Sequence, residues 1–234
     1  MMTPSNRPLH LASLLLLTGG CTPSPPTSPE PPPPALVDVE VTVLDPATGG
    51  GLADLEVGEA ASTDQSGVAE IAVEQDSPFE VRVTSSEILP HVLAGFAGTE
   101  PFEFVTFAGT GAQAEQTLAY LGLSWSEETG IVVVGIDYED WSPVAGAGAS
   151  LSDTGASAFV VTGSGMPESA ATIPEGGVGI VSFANVSPGS VSVYLQPPAG
   201  TLCAPHPHPR SHESVPVYPG EVTVVLARCR PDPG

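Results

Sequence analysis

Val178–Leu195 reads VGIVSFANVSPGSVSVYL. Ile180 and Phe183 belong to a first apolar run. In a second run Val191, Val193 and Leu195 alternate with Ser190, Ser192 and Tyr194. Alternation with a period of two, broken by Asn185, Ser187, Pro188 and Gly189, predicts two strands and a tight turn, a half-buried antiparallel hairpin. The same design occurs at 67–83, GVAEIAVEQDSPFEVRV, where Val68, Ile71, Val73, Phe79, Val81 and Val83 flank Asp76-Ser77-Pro78. Two such hairpins far apart in the chain predict two β-modules.

Composition agrees with turn-rich β-structure. The 234 residues include 26 Gly and 27 Pro, and only 6% are aromatic, which disfavours helix bundles. The charge is lopsided: there is no lysine, and five arginines face 27 acids for a formal charge of −22. A surface of that sign repels nucleic acid and anionic headgroups. It suits cations, basic proteins or neutral polymers, and it also keeps a protein soluble without any partner.

The N-terminus carries Arg7, the apolar run Leu9–Leu17, then Thr18-Gly19-Gly20-Cys21. A cationic start, an apolar core too short to span a bilayer and small residues at the cut describe an export signal. With cysteine directly after the small residues, the stretch resembles a bacterial lipoprotein signal. That resemblance implies removal of residues 1–20 and a diacylated Cys21 as the new N-terminus. Thr22 after the cysteine is similar to lipoproteins sent to the outer membrane. Thr22–Pro34, TPSPPTSPEPPPP, has nothing to pack; as polyproline II it would reach ~40 Å at about 3.1 Å per residue. Residues 21–35 thus read as anchor and tether. The expected location is the bacterial cell envelope at the outer membrane, facing the periplasm or the exterior. The expected partners are the membrane, through the lipid, and envelope proteins or polysaccharide.

The first module is placed at 36–109. Val37, Val39, Val41 and Val43 alternate with Asp38, Glu40 and Thr42, the signature of a strand with one face buried. Asp45–Gly51 is a turn, Leu52–Val57 a second strand, and Thr63–Gly67 leads into the upstream hairpin. The run Val43-Leu44-Asp45-Pro46-Ala47-Thr48-Gly49, the segment Leu52–Val57 and Thr63-Asp64-x-x-Gly67 resemble the carboxypeptidase-regulatory-like domains. Pro143–Ala147 and the 183–193 segment echo the same pattern. The resemblance implies small β-sandwiches of transthyretin-like topology without catalytic residues.

Thr110–Gly122 is the one convincing helix. Thr110 and Gln113 form a capping box, and Gly122 stops the run; residues 110–128 read as a connector. Gly109-x-Gly111-x-x-Ala114 imitates a dinucleotide fingerprint. Asp137 lies too far on and no further parallel strands surround it, so a linking helix is the better account. The second module is placed at 129–230, with a tail at 231–234 and strands near 131–136, 147–151, 158–161, 178–184, 190–195 and 221–226. The fold class is therefore mainly β: two antiparallel β-sandwich (transthyretin-like or Ig-like) modules joined by a short helix.

Three sets of residues carry possible chemistry. Asp137, Glu139 and Asp140 follow a strand and could hold Ca²⁺, although a solvated acidic loop explains them as well. Cys203 and Cys229 form an even pair once Cys21 is set aside, and outside the cytoplasm they are expected to form a disulfide. His206, His208 and His212 lie within seven residues and could bind Cu²⁺ or Zn²⁺. Alternating prolines point successive imidazoles in different directions, which favours a rigid exposed loop instead. His91, among apolar neighbours, reads as a core or rim histidine. There is no G-x-S-x-G, H-E-x-x-H or P-loop motif. No cofactor is expected. The chain reads as a non-catalytic, lipid-anchored envelope protein with a binding or structural role. The alternatives are a Cu/Zn-binding lipoprotein and an accessory subunit of an envelope enzyme or secretion complex.

Overall fold

The structure, a computed structural model, describes residues 33–234. The stretch read as an export signal, Cys21 and the proline-rich segment as far as residue 32 lie outside the described residues. Seventeen strands and one α-helix follow in order. They are β1 Leu36–Leu44, β2 Glu56–Val57, β3 Ala61–Ser62, β4 Val68–Glu74, β5 Pro78–Thr84, β6 His91–Phe96 and β7 Phe102–Phe107. Helix α1 is Gly111–Tyr120. After it come β8 Gly130–Tyr138, β9 Gly148–Leu151, β10 Ser157–Val161, β11 Pro167–Glu168, β12 Ile180–Val186, β13 Gly189–Val191 and β14 Val193–Gln196. The chain ends with β15 Thr201–His206, β16 Val215–Val217 and β17 Val222–Pro231.

A ten-stranded sheet runs in the order β11-β10-β12-β8-β17-β6-β5-β2-β3, with β15 also on β17. A three-stranded sheet, β4-β1-β7, and the pairs β13-β16 and β14-β9 complete the strand set. The mainly β architecture with one helix is as expected. The large sheet is mixed, however: β17 pairs in parallel with both β6 and β8, and β1 with β7. Strands from 36–109 and from 129–230 therefore meet in one sheet, joined by β17.

Alternation along β17 feeds two cores. Val222, Val224 and Leu226 pack on one face with Val39, Val41, Leu93 and Phe104. Val225, Ala227 and Cys229 pack on the other with Val132, Val134, Val181 and Phe183. Each such buried aliphatic side chain contributes about 1.5–3 kcal/mol, so the last strand is central to both halves.

Both expected hairpins are corrected. β4 pairs with β1, whereas β5 pairs with β6 and β2, so the turn at Gln75–Ser77 carries the chain between two sheets. Asp76 supports that crossing with φ +51°. Likewise β12 pairs with β8 and β10, β13 with β16, and β14 with β9. A register shift between Phe183 and Val186, with Asn185 at φ +57°, turns the strand out of its sheet. The Ser187 amide then donates to Asp153 Oδ2 at 2.9 Å and Ser192 to Ser152 Oγ at 2.9 Å, holding the crossing. The alternation is real; the neighbours are different.

The helix stands where the capping box places it. Gln113 N–H donates to Thr110 Oγ1 at 3.1 Å, and Thr110 N–H donates to Gln113 Oε1 at 2.7 Å. Gly122 ends it in the left-handed region, φ +73°. Leu118 anchors it to Phe159 and Ala184 on the large sheet.

Candidate functional site

Strand β7 is the last strand of the three-stranded sheet and pairs only with β1 among the described residues. Beneath and beyond it the large sheet continues through β8 and β12. The result is a cleft of about 550 Å³. Val105 and Phe107 of β7 form one wall; Val133, Gly135 and Asp137 of β8, Ile180 of β12 and Leu226 of β17 form the floor; Trp141, Pro143 and Val178 form the far rim. Gly135 is buried against Leu226, where a Cβ would stand 2.8 Å from Leu226 Cδ2. Phe107 and Val178 are 38% and 39% exposed, large apolar side chains left uncovered at the two walls.

The rim is shaped by a tight turn. Tyr138 N–H donates to Ser142 O at 2.9 Å, Trp141 N–H to Tyr138 O at 3.0 Å and Ser142 N–H to Asp140 Oδ1 at 3.0 Å. Trp141 itself has φ +63°, a conformation a bulky residue holds only when its surroundings fix it. Arg228, beside Asp137 in the β17–β8 register, stacks on the Trp141 ring and donates to Tyr138 O at 3.2 Å. Burial pushes the Asp137 carboxyl up to about 7, while Arg228 pulls in the opposite direction. The Asp140 carboxyl is held low by its bonds to Ser142.

The three acids considered for Ca²⁺ are thus separated in role. Asp137 lines the cleft, Asp140 caps its own turn and Glu139 is exposed. The three histidines are likewise dispersed, and the exposed-loop expectation is corrected. His206 lies on β15 in register with Leu226. His208 caps a 3-10 turn, Pro209–His212, by accepting from Arg210 N–H at 3.2 Å. His212 is 3% exposed, with Nε2 against Leu226 O at 2.9 Å. The cause is apolar contact: the segment folds back onto Phe96, whose ring lies tilted against His208, and Phe102, which meets His206 edge to face. Burial brings His206 and His212 each down to about 4; Arg228 adds to the effect at His206. His91 is buried, with Nδ1 at 2.7 Å from Leu89 O, and burial lowers it as well. Among the described residues no group of three or more His, Cys, Asp or Glu is placed to hold a metal ion. No described helix is long and apolar enough to cross a membrane.

Cys203 and Cys229 are joined, directly opposite each other on β15 and β17, with Cα atoms 4.0 Å apart. Trp141, Arg228 and Phe107 are functional candidates that sequence reading did not single out. Cations are so scarce here that Arg228 is a usable signal; nothing in the sequence flags Phe107.

No protein-family model matches the chain, and no curated protein matches it. Among solved structures, it is similar to the Bacillus anthracis TIE protein, at 10% identity over 84% of this chain and 34% of that one, with a TM-score of 0.26. The shaft pilin SpaA of Lactobacillus rhamnosus GG matches at 8% identity over 83% of this chain and 99% of that one, TM-score 0.26. A streptococcal ancillary pilin matches at 12% identity over 84% and 63%, TM-score 0.25. The chain thus spans about a third of the first of these and just under two thirds of the third.

Proposed function

We propose that this is a non-catalytic, lipid-anchored protein of the bacterial envelope that binds a partner through the cleft beside β7. The observation that carries the reading is the cleft itself, an apolar concavity with a sheet edge on one wall and one half-buried carboxylate at its end. A half-buried Asp with a raised pKa also suits proton transfer. The other polar side chains lining this cleft are Thr42, Thr106 and Trp141, which supply neither a base for a nucleophile nor a second carboxylate. Anchoring is supported by Gly19-Gly20-Cys21 and the proline tether that follows. A photo-crosslinking residue at Phe107, compared with one at exposed Tyr120 on the helix, tests the reading in intact cells. A crosslinked species from position 107 and none from 120 is expected; equal yields at both positions would refute a specific cleft. Mass spectrometry of the mature N-terminus tests the anchor, with a diacylated Cys21 expected.

A further inference from the structure

We propose that the cleft binds an extended polypeptide segment of a partner protein as a fourth strand on β7, with a basic side chain beside Glu103 and apolar ones over the cleft floor. The proposal rests on the reading of the cleft as a binding site and specifies what occupies it.

The backbone of β7 states which groups are free. Ala108 N–H donates to Leu44 O at 2.9 Å, so the even-numbered residues of β7 turn their amides and carbonyls toward β1. Strand geometry then points those of Glu103, Val105 and Phe107 to the opposite edge, along the cleft. No backbone strand partner meets them among the described residues. His206 and His91 lie against the carbonyls of Glu103 and Phe107, and Val105 stands open between them. An edge without a strand partner is a template for strand addition. A strand laid there would set alternate side chains toward Val133 and Ile180, which the described chain leaves only half-buried.

Charge specifies the rest. Glu70, Glu40 and Glu103 are directly opposite one another on β4, β1 and β7, three like charges in one row on the outer face. Such a row is unfavourable, and an opposite charge at its end is favourable. Neither of the two ion pairs among the described residues, Arg82–Glu221 and Arg210–Glu213, touches it. Arg228 is the nearby cation, and it already faces Asp137 and Glu139 as well as Glu103. The position next to Glu103 on an added strand therefore selects Lys or Arg. The next outward positions lie beside Val105 and Phe107 and select a β-branched and an aromatic side chain.

The test uses the full chain and two probes, acetyl-Arg-Val-Thr-Val-Tyr-amide and the same residues in reverse order, with amide exchange read residue by residue. In the free protein the amides of Glu103, Val105 and Phe107 exchange fast and those of Phe104 and Thr106 slowly. Saturation with one of the two peptides slows the first set at least tenfold. Val105→Pro removes an edge N–H without touching the β1 ladder and abolishes protection, while Phe104 and Thr106 stay slow. Should that variant not fold, Glu103→Lys reads the same point, weakening the peptide about three- to fivefold. Slow exchange of the Val105 amide in the free protein would overturn the proposal. Shifts at Trp141 and Val178 without edge protection would overturn strand addition and leave the cleft a binding site. No response to either peptide, with no crosslink at Phe107, would remove both readings.

Discussion

The Arg228 guanidinium lies over the Trp141 indole, its central carbon 3.2 Å from the ring centroid. One cation thereby fixes the rim of the cleft and faces the carboxylate inside it. Replacing Arg228 with Met keeps the aliphatic contact and removes both charge effects. The expected loss is about 1–2 kcal/mol of stability, from the cation–π contact and the bond to Tyr138 O. Urea unfolding followed by tryptophan fluorescence measures it. The Asp137 carboxyl should rise further, since Arg228 holds it down; carboxyl NMR titration of the variant reads that shift.

Asp137 makes stability depend on pH in a direction unusual for an acid. Its folded pKa of about 7 exceeds its ordinary 3.8, so between these values the folded protein holds a proton that the unfolded chain has released. The resulting stabilisation is complete below about pH 4 and disappears as pH rises through 7. Asp137→Asn removes that slope. The variant should therefore gain on the wild type steadily from pH 4 to 7.5 in chemical denaturation, and an unchanged gap would contradict the buried carboxyl.

His212 acts with the opposite sign. Its folded pKa of about 4 lies below the ordinary 6.5, so the unfolded chain takes up a proton first as pH falls. Its neutral form supports the fold above pH 6.5, and that support is lost as pH falls through 4. His212→Gln should flatten the acid side of the stability curve, leaving a smaller drop in Tm between pH 7 and 4.5. The buried contact with Leu226 O makes some loss at neutral pH expected as well.

The Cys203–Cys229 bridge closes 26 residues of separation. Chain-entropy reasoning gives about 3.5 kcal/mol for a loop of that length. The double variant Cys203→Ala, Cys229→Ala should lose roughly that much in urea midpoint analysis, and the wild type under reductant should fall to meet it.

Gly67 carries φ +82°, and a Cβ there would stand 2.5 Å from Val43 O and 2.7 Å from Gly51 Cα. Gly67→Ala meets backbone on both sides and has no side-chain end to displace. The cost should exceed the usual penalty of about 1 kcal/mol for alanine in this conformation. Thermal unfolding measures it, and Gly165→Ala, at φ +79° with open space around it, supplies the reference.

Much of the local structure could be read from residue patterns. β1 shows the alternation its valines predict, with Val37, Val39, Val41 and Val43 buried. The helix carries its capping box, and the disulfide joins the two cysteines left after Cys21. The acids at 137, 139 and 140 could be located but not sorted, because the setting of Asp137 depends on Arg228, distant along the chain and adjacent only through the β17–β8 register. The histidine segment was read from its prolines as exposed, and its burial against Phe96 and Phe102 depends on contacts that no local pattern encodes.

By itself the sequence determined which face of β1 and of β5 is buried, where the helix starts and stops, and how acidic the chain is. Each of these follows from side chains and their near neighbours. The tertiary structure decided which strands lie side by side: that 178–195 spreads over three sheets, that β17 sits between β6 and β8, and that β7 is left with an open edge. Backbone hydrogen bonds are alike for every residue, so alternation can assign a face without choosing a neighbour, and that choice falls to long-range packing.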